Sequence, residues 1–120
     1  MKNQSFLCRL GFAAAGFRTA VVTEASFRTQ LLLAALAAAA LAVLRPPALW
    51  VALCILASGA VLAAELINTA LERLADRLHP EQHASIRAAK DCAAAAVLVA
   101  SITALVIGAL TAGIALNLFK

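Results

Sequence analysis

The sequence predicts an all-α integral membrane protein, with three transmembrane helices preceded by an amphipathic helix on the membrane surface. Composition is the first reason. Of 120 residues, 64% are hydrophobic and 13% charged, and mean hydropathy is +0.95. A soluble domain this small has nowhere to hide so much apolar surface. The second reason is the distribution of that surface. Leu31 to Leu44, Ala48 to Ala64 and Ala93 to Leu116 are apolar runs, and a spanning helix needs about 20 such residues. The third is punctuation. Arg45-Pro46-Pro47 and His79-Pro80-Glu81 fall between the runs, where proline ends a helix. Residues 1–120 read as a single domain.

The surface helix is expected over about residues 5–22. Phe6, Leu7, Leu10, Ala14, Phe17 and Val21 share a stripe about 100° wide, and Arg9 and Arg18 flank it. That is the pattern of a helix in the interface plane. Phe12 points away from the stripe, either to pack on the bundle or to stack on a nucleotide base. Thr23 is a candidate N-cap for the next helix.

The first span is expected over about 27–45, its short apolar run extended by Phe27 to Gln30. The second covers about 48–77, with Trp50 in the outer interfacial belt. The third covers about 86–117. Gly108, Ala109, Ala112 and Gly113 give it small-residue faces for close helix packing.

Charge sets the expected orientation. Lys2, Arg9, Arg18 and Arg28 precede or open the first span, and Arg73, Arg77, Arg87 and Lys90 lie between the second and third. Cytoplasmic loops carry the excess of Lys and Arg. The N-terminus and second loop are therefore expected in the cytoplasm and the C-terminus outside. The net charge of +4 forms no stripe, which argues against nucleic-acid binding. Arg9, Arg18 and Glu24 interrupt the N-terminal stretch, so no cleavable signal peptide is expected. Cys8, Cys54 and Cys92 have no paired spacing and read as small apolar fillers.

Against this background the polar residues of the second span stand out. Glu65, Asn68, Glu72 and Asp76 fall within about 80° of one another on a helix. Glu65 lies about 25 Å inward from Ala48, near the cytoplasmic edge of a hydrocarbon core about 30 Å thick. Glu72 and Asp76 lie deeper in the headgroup layer, and Glu24, Lys90 and Asp91 reach the same mouth. A carboxylate at Glu65's depth is costly and usually functional. One carboxylate at the hydrocarbon edge can take a proton from a hydroxyl. Another in the wetter layer can hold Mg²⁺, Lys90 can balance phosphate charge, and Asn68 can orient a ligand. These are the parts of phosphoryl transfer. The ordinary alternative, a solvated helix end, suits Asp76 and Glu81 better than Glu65. The five glycines never cluster, so no P-loop is present. Pro80 breaks any helical His79–His83 metal pair.

Glu65-Leu66-Ile67-Asn68-Thr69-Ala70-Leu71-Glu72, Asp76, Glu81-Gln82-His83 and Ala89-Lys90-Asp91, with Thr23-Glu24-Ala25-Ser26-Phe27-Arg28 ahead of them, closely resemble the bacterial membrane diacylglycerol kinase family. That family includes undecaprenol kinases. The resemblance covers essentially the whole chain. It implies ATP- and Mg²⁺-dependent phosphorylation of a lipid alcohol at the bacterial inner membrane by a homotrimer with sites shared between subunits. It carries Glu65 to general base and Glu24 and Glu72 to metal ligands. It places Phe12, Asn68, Glu81, Gln82, His83, Lys90 and Asp91 around the nucleotide. Two features depart from the pattern. Ala14 stands near the family's surface-helix tryptophan, and Arg9 meets its early basic residue only with a shift. The exposed polar face expected at Glu65 also calls for a partner. A small proton-coupled transporter is the remote alternative, but it would hold its carboxylate near the midplane. A purely structural membrane subunit would not need the cluster.

Overall fold

The computed structural model describes residues 3–81 and 83–119. It contains four helices: α1 (Phe6–Thr23), α2 (Ala25–Leu44), α3 (Ala48–Leu78) and α4 (Ala84–Ala115). Gln82 lies outside the described residues.

Local chemistry explains the ends. Ser5 caps α1, its Oγ accepting from the Cys8 amide at 3.3 Å. Glu24 is extended, with φ −115° and ψ 107°, and separates α1 from α2 as a single-residue corner. It is the N-cap position of α2, without a side-chain capping bond. The expected cap, Thr23, instead ends α1 and donates to the Thr19 carbonyl at 2.8 Å. Its hydroxyl reaches a backbone acceptor one turn back before any amide ahead. The α1 C-terminus is closed by Arg28, whose Nη1 donates to the carbonyls of Val21 and Val22 at 2.8 and 3.1 Å. A cation there satisfies orphan carbonyls and complements the helix dipole. Arg45 ends α2 in the left-handed region, with φ 49°, and two prolines follow. At the far end Asn117 has φ 58°. The Leu118 and Asn117 amides bond back to Gly113 and Ile114, the bonding pattern of a Schellman closure.

α3 and α4 form an antiparallel hairpin, with α2 packed against α3 and more lightly against α4. The buried stripe of α3 is Ala57, Val61, Glu65 and Thr69, a four-residue spacing that keeps one face inward. Cys54 Sγ and Thr111 Oγ1 meet at 3.2 Å on the outer half of the hairpin. Of the three free cysteines only Cys54 packs inside the chain, while Cys8 and Cys92 face outward. Gly113 is buried under the Phe119 ring of its own chain. It is therefore not part of a face open to a neighbour.

α3 and α4 hold 31 and 32 residues. At about 1.5 Å per residue both exceed a hydrocarbon core about 30 Å thick, so a few turns of each stand clear of it. α1 meets the bundle through its last turns. Ala20 is buried, and Phe17 packs edge-on against Phe27 with centroids 5.1 Å apart. All four helices are long and apolar enough to cross a membrane by length and composition, α1 included. The fully buried apolar set is small, namely Ala20, Phe27, Ala57 and Val61. Leu36, Ile55, Leu98 and Leu105 lie on the outside, 58 to 72% exposed. Such a surface needs lipid or other helices against it.

Candidate active site

The inner third of α3 sets one wall of the site, and the beginnings of α2 and α4 set the others. Glu65 is 4% exposed. Ser26 Oγ donates to its Oε2 at 3.2 Å, and Gln30 Nε2 approaches its Oε1 at 3.5 Å. The same Gln30 amide nitrogen donates to Ser101 Oγ of α4 at 3.4 Å. The partners that shield Glu65 thus come from its own chain, which corrects the expectation of an exposed face awaiting a neighbour. Two residues from one turn of α2 close over it because Phe27 anchors that turn in the core.

One turn further in, Asn68 Nδ2 donates to Glu72 Oε1 at 3.4 Å. Among the described residues Asn68 Oδ1 is buried without a hydrogen-bond partner. A buried acceptor oxygen without a donor is rare, and beside a carboxylate it makes a patch that attracts a cation or a donor from a ligand. Glu24 is half-buried at the α1–α2 corner. Arg73 Nη2 donates to Thr23 Oγ1 at 3.0 Å, which holds that corner against the turn of α3 that carries Glu72. By helix angle Arg73 lies about 100° off the face shared by Glu65, Asn68 and Glu72, yet its side chain reaches this corner. Among the described residues no three His, Cys, Asp or Glu side chains converge into a metal cage. Two carboxylates completed by phosphate oxygens and water remain a fitting set for Mg²⁺, which keeps several waters and rarely takes an all-protein cage.

At the hairpin, Lys90 Nζ pairs with Asp76 Oδ1 at 2.5 Å, and Arg87 with Asp91 at 3.4 Å on the exposed surface of α4. His83 caps α4, its Nδ1 accepting from the Ser85 amide at 3.0 Å. Asp76, His79, Glu81, His83, Arg87 and Lys90 line a pocket of about 80 Å³. Small-molecule sites run to about 300 Å³ or more, so one chain supplies a wall rather than an enclosure. Asp91 lies beside this pocket and not in its lining, whereas Arg87, which sequence reading passed over, is in it. Phe12 is elsewhere. It lines a separate open depression on α1 with Phe6, Arg9, Leu10 and Ala13.

On its other side Gln30 opens onto an apolar cleft of about 530 Å³ between α2, α3 and α4. Small side chains, Ala34, Ala37, Ala104, Gly108 and Ala109, give it room, and Ser58 and Ser101 are among its few polar groups.

Fold and site together define a membrane-embedded helical protein with a carboxylate-rich site at one end of its bundle. The model of the family described as prokaryotic diacylglycerol kinase matches residues 11–112. A diacylglycerol kinase of Synechocystis sp. is 36% identical over 105 residues, which cover 87% of this chain and 60% of that protein. The diacylglycerol kinase of Escherichia coli K12 is 34% identical over 96 residues, covering 80% of this chain and 79% of that protein. The chain belongs to the prokaryotic diacylglycerol kinase family. It spans 60% of the length of the Synechocystis relative.

Proposed function

We propose that the protein is an ATP- and Mg²⁺-dependent lipid kinase that phosphorylates the hydroxyl of diacylglycerol to give phosphatidic acid. The observation that carries the reading is Glu65, buried, held on both oxygens, one turn from the unpartnered Asn68 oxygen and about two turns from Glu72. Glu65 accepts the proton of the lipid hydroxyl as the hydroxyl oxygen attacks the γ-phosphorus of ATP, the bond from that phosphorus to the β–γ bridging oxygen breaks, and ADP leaves. Glu24 and Glu72 would hold Mg²⁺, which when bound would supply charge neutralisation at the phosphates. Asn68 orients the ligand. Lys90 exchanges its Asp76 partner for phosphate oxygen, and Glu81, Gln82, His83 and Asp91 border the nucleotide. Phe12 contributes a face to the base only in an assembly that brings α1 over a neighbouring site.

The pocket volume supports such an assembly, a homotrimer whose subunits complete each other's sites. The charge distribution supports a multi-pass arrangement in the bacterial inner membrane, N-terminus cytoplasmic and C-terminus outside, with α1 on the surface and α2 to α4 spanning. Undecaprenol is the competing acceptor. Transfer of radiolabelled phosphate from ATP to each lipid in mixed micelles decides between them. Diacylglycerol is expected to be labelled, with Mg²⁺ and not in excess chelator. Equal labelling in chelator rejects the proposed reaction.

A further inference from the structure

Glu65 is held by an unusual pair of partners for a buried carboxylate. Neither carries a charge. Ser26 takes one oxygen at 3.2 Å and Gln30 the other at 3.5 Å. The two donors are four residues apart, so they project from one face of α2, and they lie 39 and 35 residues from Glu65 in the chain. Gln30 is itself tied down. Its amide nitrogen has two hydrogens, and its contacts are Glu65 on α3 and Ser101 on α4. Three helices are thus laced at one level by four side chains, and the buried carboxylate is at the centre.

We propose that Ser26 and Gln30 are positioning residues for Glu65, fixing its carboxylate plane toward the acceptor hydroxyl, with Ser101 setting the Gln30 amide. This rests on the reading of Glu65 as general base. A carboxylate has about four lone-pair sites, and two donors leave sites free for a substrate proton. A lysine or arginine partner would neutralise the base, whereas two neutral donors orient it and leave its charge intact. The contacts of Gln30 sit at the long end of hydrogen bonding, and catalytic bonds of this kind tighten once substrate is in place. Gln30 also lines the apolar cleft, so the residue that orients the base borders an apolar space of about 530 Å³.

The test uses the full-length protein in mixed micelles, with turnover at saturating lipid and ATP, KM for Mg-ATP and thermal stability measured on the same samples. The variants are Ser26→Ala, Gln30→Leu, their double, Ser26→Thr and Glu65→Gln. Misplacing a reacting group by an ångström costs up to about a hundredfold, so the double variant is expected to lose roughly tenfold to a hundredfold in kcat. Its KM for Mg-ATP and its thermal midpoint should stay at parental values, and Ser26→Thr should recover what Ser26→Ala loses. Parental turnover in the double variant beside an inactive Glu65→Gln overturns the positioning role alone. Parental turnover in Glu65→Gln overturns the base, and the proposal with it. Loss of kcat matched by weaker Mg-ATP binding and a lower midpoint means structural support only, and also overturns it. Where the double variant does not fold, the Ser26→Ala and Ser26→Thr pair decides, and equal turnover in the two rejects the proposal.

Discussion

At Glu72 the local bonding is incomplete. Asn68 gives it one donor at 3.4 Å and leaves its own Oδ1 unsatisfied. On the proposed reading a bound Mg-nucleotide would engage both groups, which leads to a direct expectation. Glu72→Gln keeps the shape, removes the charge, and should abolish calorimetrically measured Mg-nucleotide binding. Unchanged affinity rejects the metal role. This residue was legible from the sequence, because helix rise and face angle are enough to align Glu65, Asn68 and Glu72. The groups around them were not. Ser26 and Gln30 precede an apolar run and look like ordinary interfacial residues, and only tertiary packing reveals a partner more than thirty residues on. The face angle of Arg73 puts its Cβ away from the site, yet its long side chain reaches round to Thr23. Face arithmetic locates a Cβ, not the end of an arginine.

At the scale of elements, the helix breaks were readable because proline chemistry fixes them. The α1–α2 corner was less so. Thr23 has the composition of a cap, but the closure comes from Arg28 reaching back to the Val21 and Val22 carbonyls. Charge at a helix C-terminus is worth about 1 kcal/mol at an exposed site. Arg28→Ala should therefore destabilise the corner by about that amount, read as faster amide hydrogen exchange around residues 20–28 with the α3–α4 hairpin unaffected. Exchange unchanged at the corner removes Arg28 from that role. Because this corner carries Glu24, the variant should also weaken Mg-nucleotide binding.

For the whole molecule, the long α3–α4 hairpin, the apolar exterior and the small hairpin pocket fit the proposed assembly, in which neighbouring chains complete the site. A Cβ at Gly108 would meet no atom within 4 Å, so Gly108→Ala is tolerated within the chain, and Gly108→Leu probes the bulk this face accepts. It should nevertheless disrupt close packing against a neighbouring helix. If the proposed homotrimer packs through this face, cross-linking and detergent-corrected light scattering should show the parent's oligomer reduced to smaller species. A trimer unaffected by the substitution moves the interface away from this part of α4. The family resemblance implies a homotrimer, but the residues themselves did not say which helices would meet, since small-residue faces mark close packing without saying which helix packs there. Gly113 shows the difficulty, being covered by Phe119 of its own chain.

The central claim is that buried Glu65 removes the proton from the acceptor hydroxyl. The most direct test is turnover of Glu65→Gln at saturating lipid and ATP, with a nucleotide titration of the same sample. General-base catalysis contributes roughly 10²- to 10⁴-fold. The account predicts a loss of at least about a hundredfold with Mg-ATP binding and assembly intact. Turnover within a few-fold of the parent would contradict it and leave the site working by positioning and electrostatics alone.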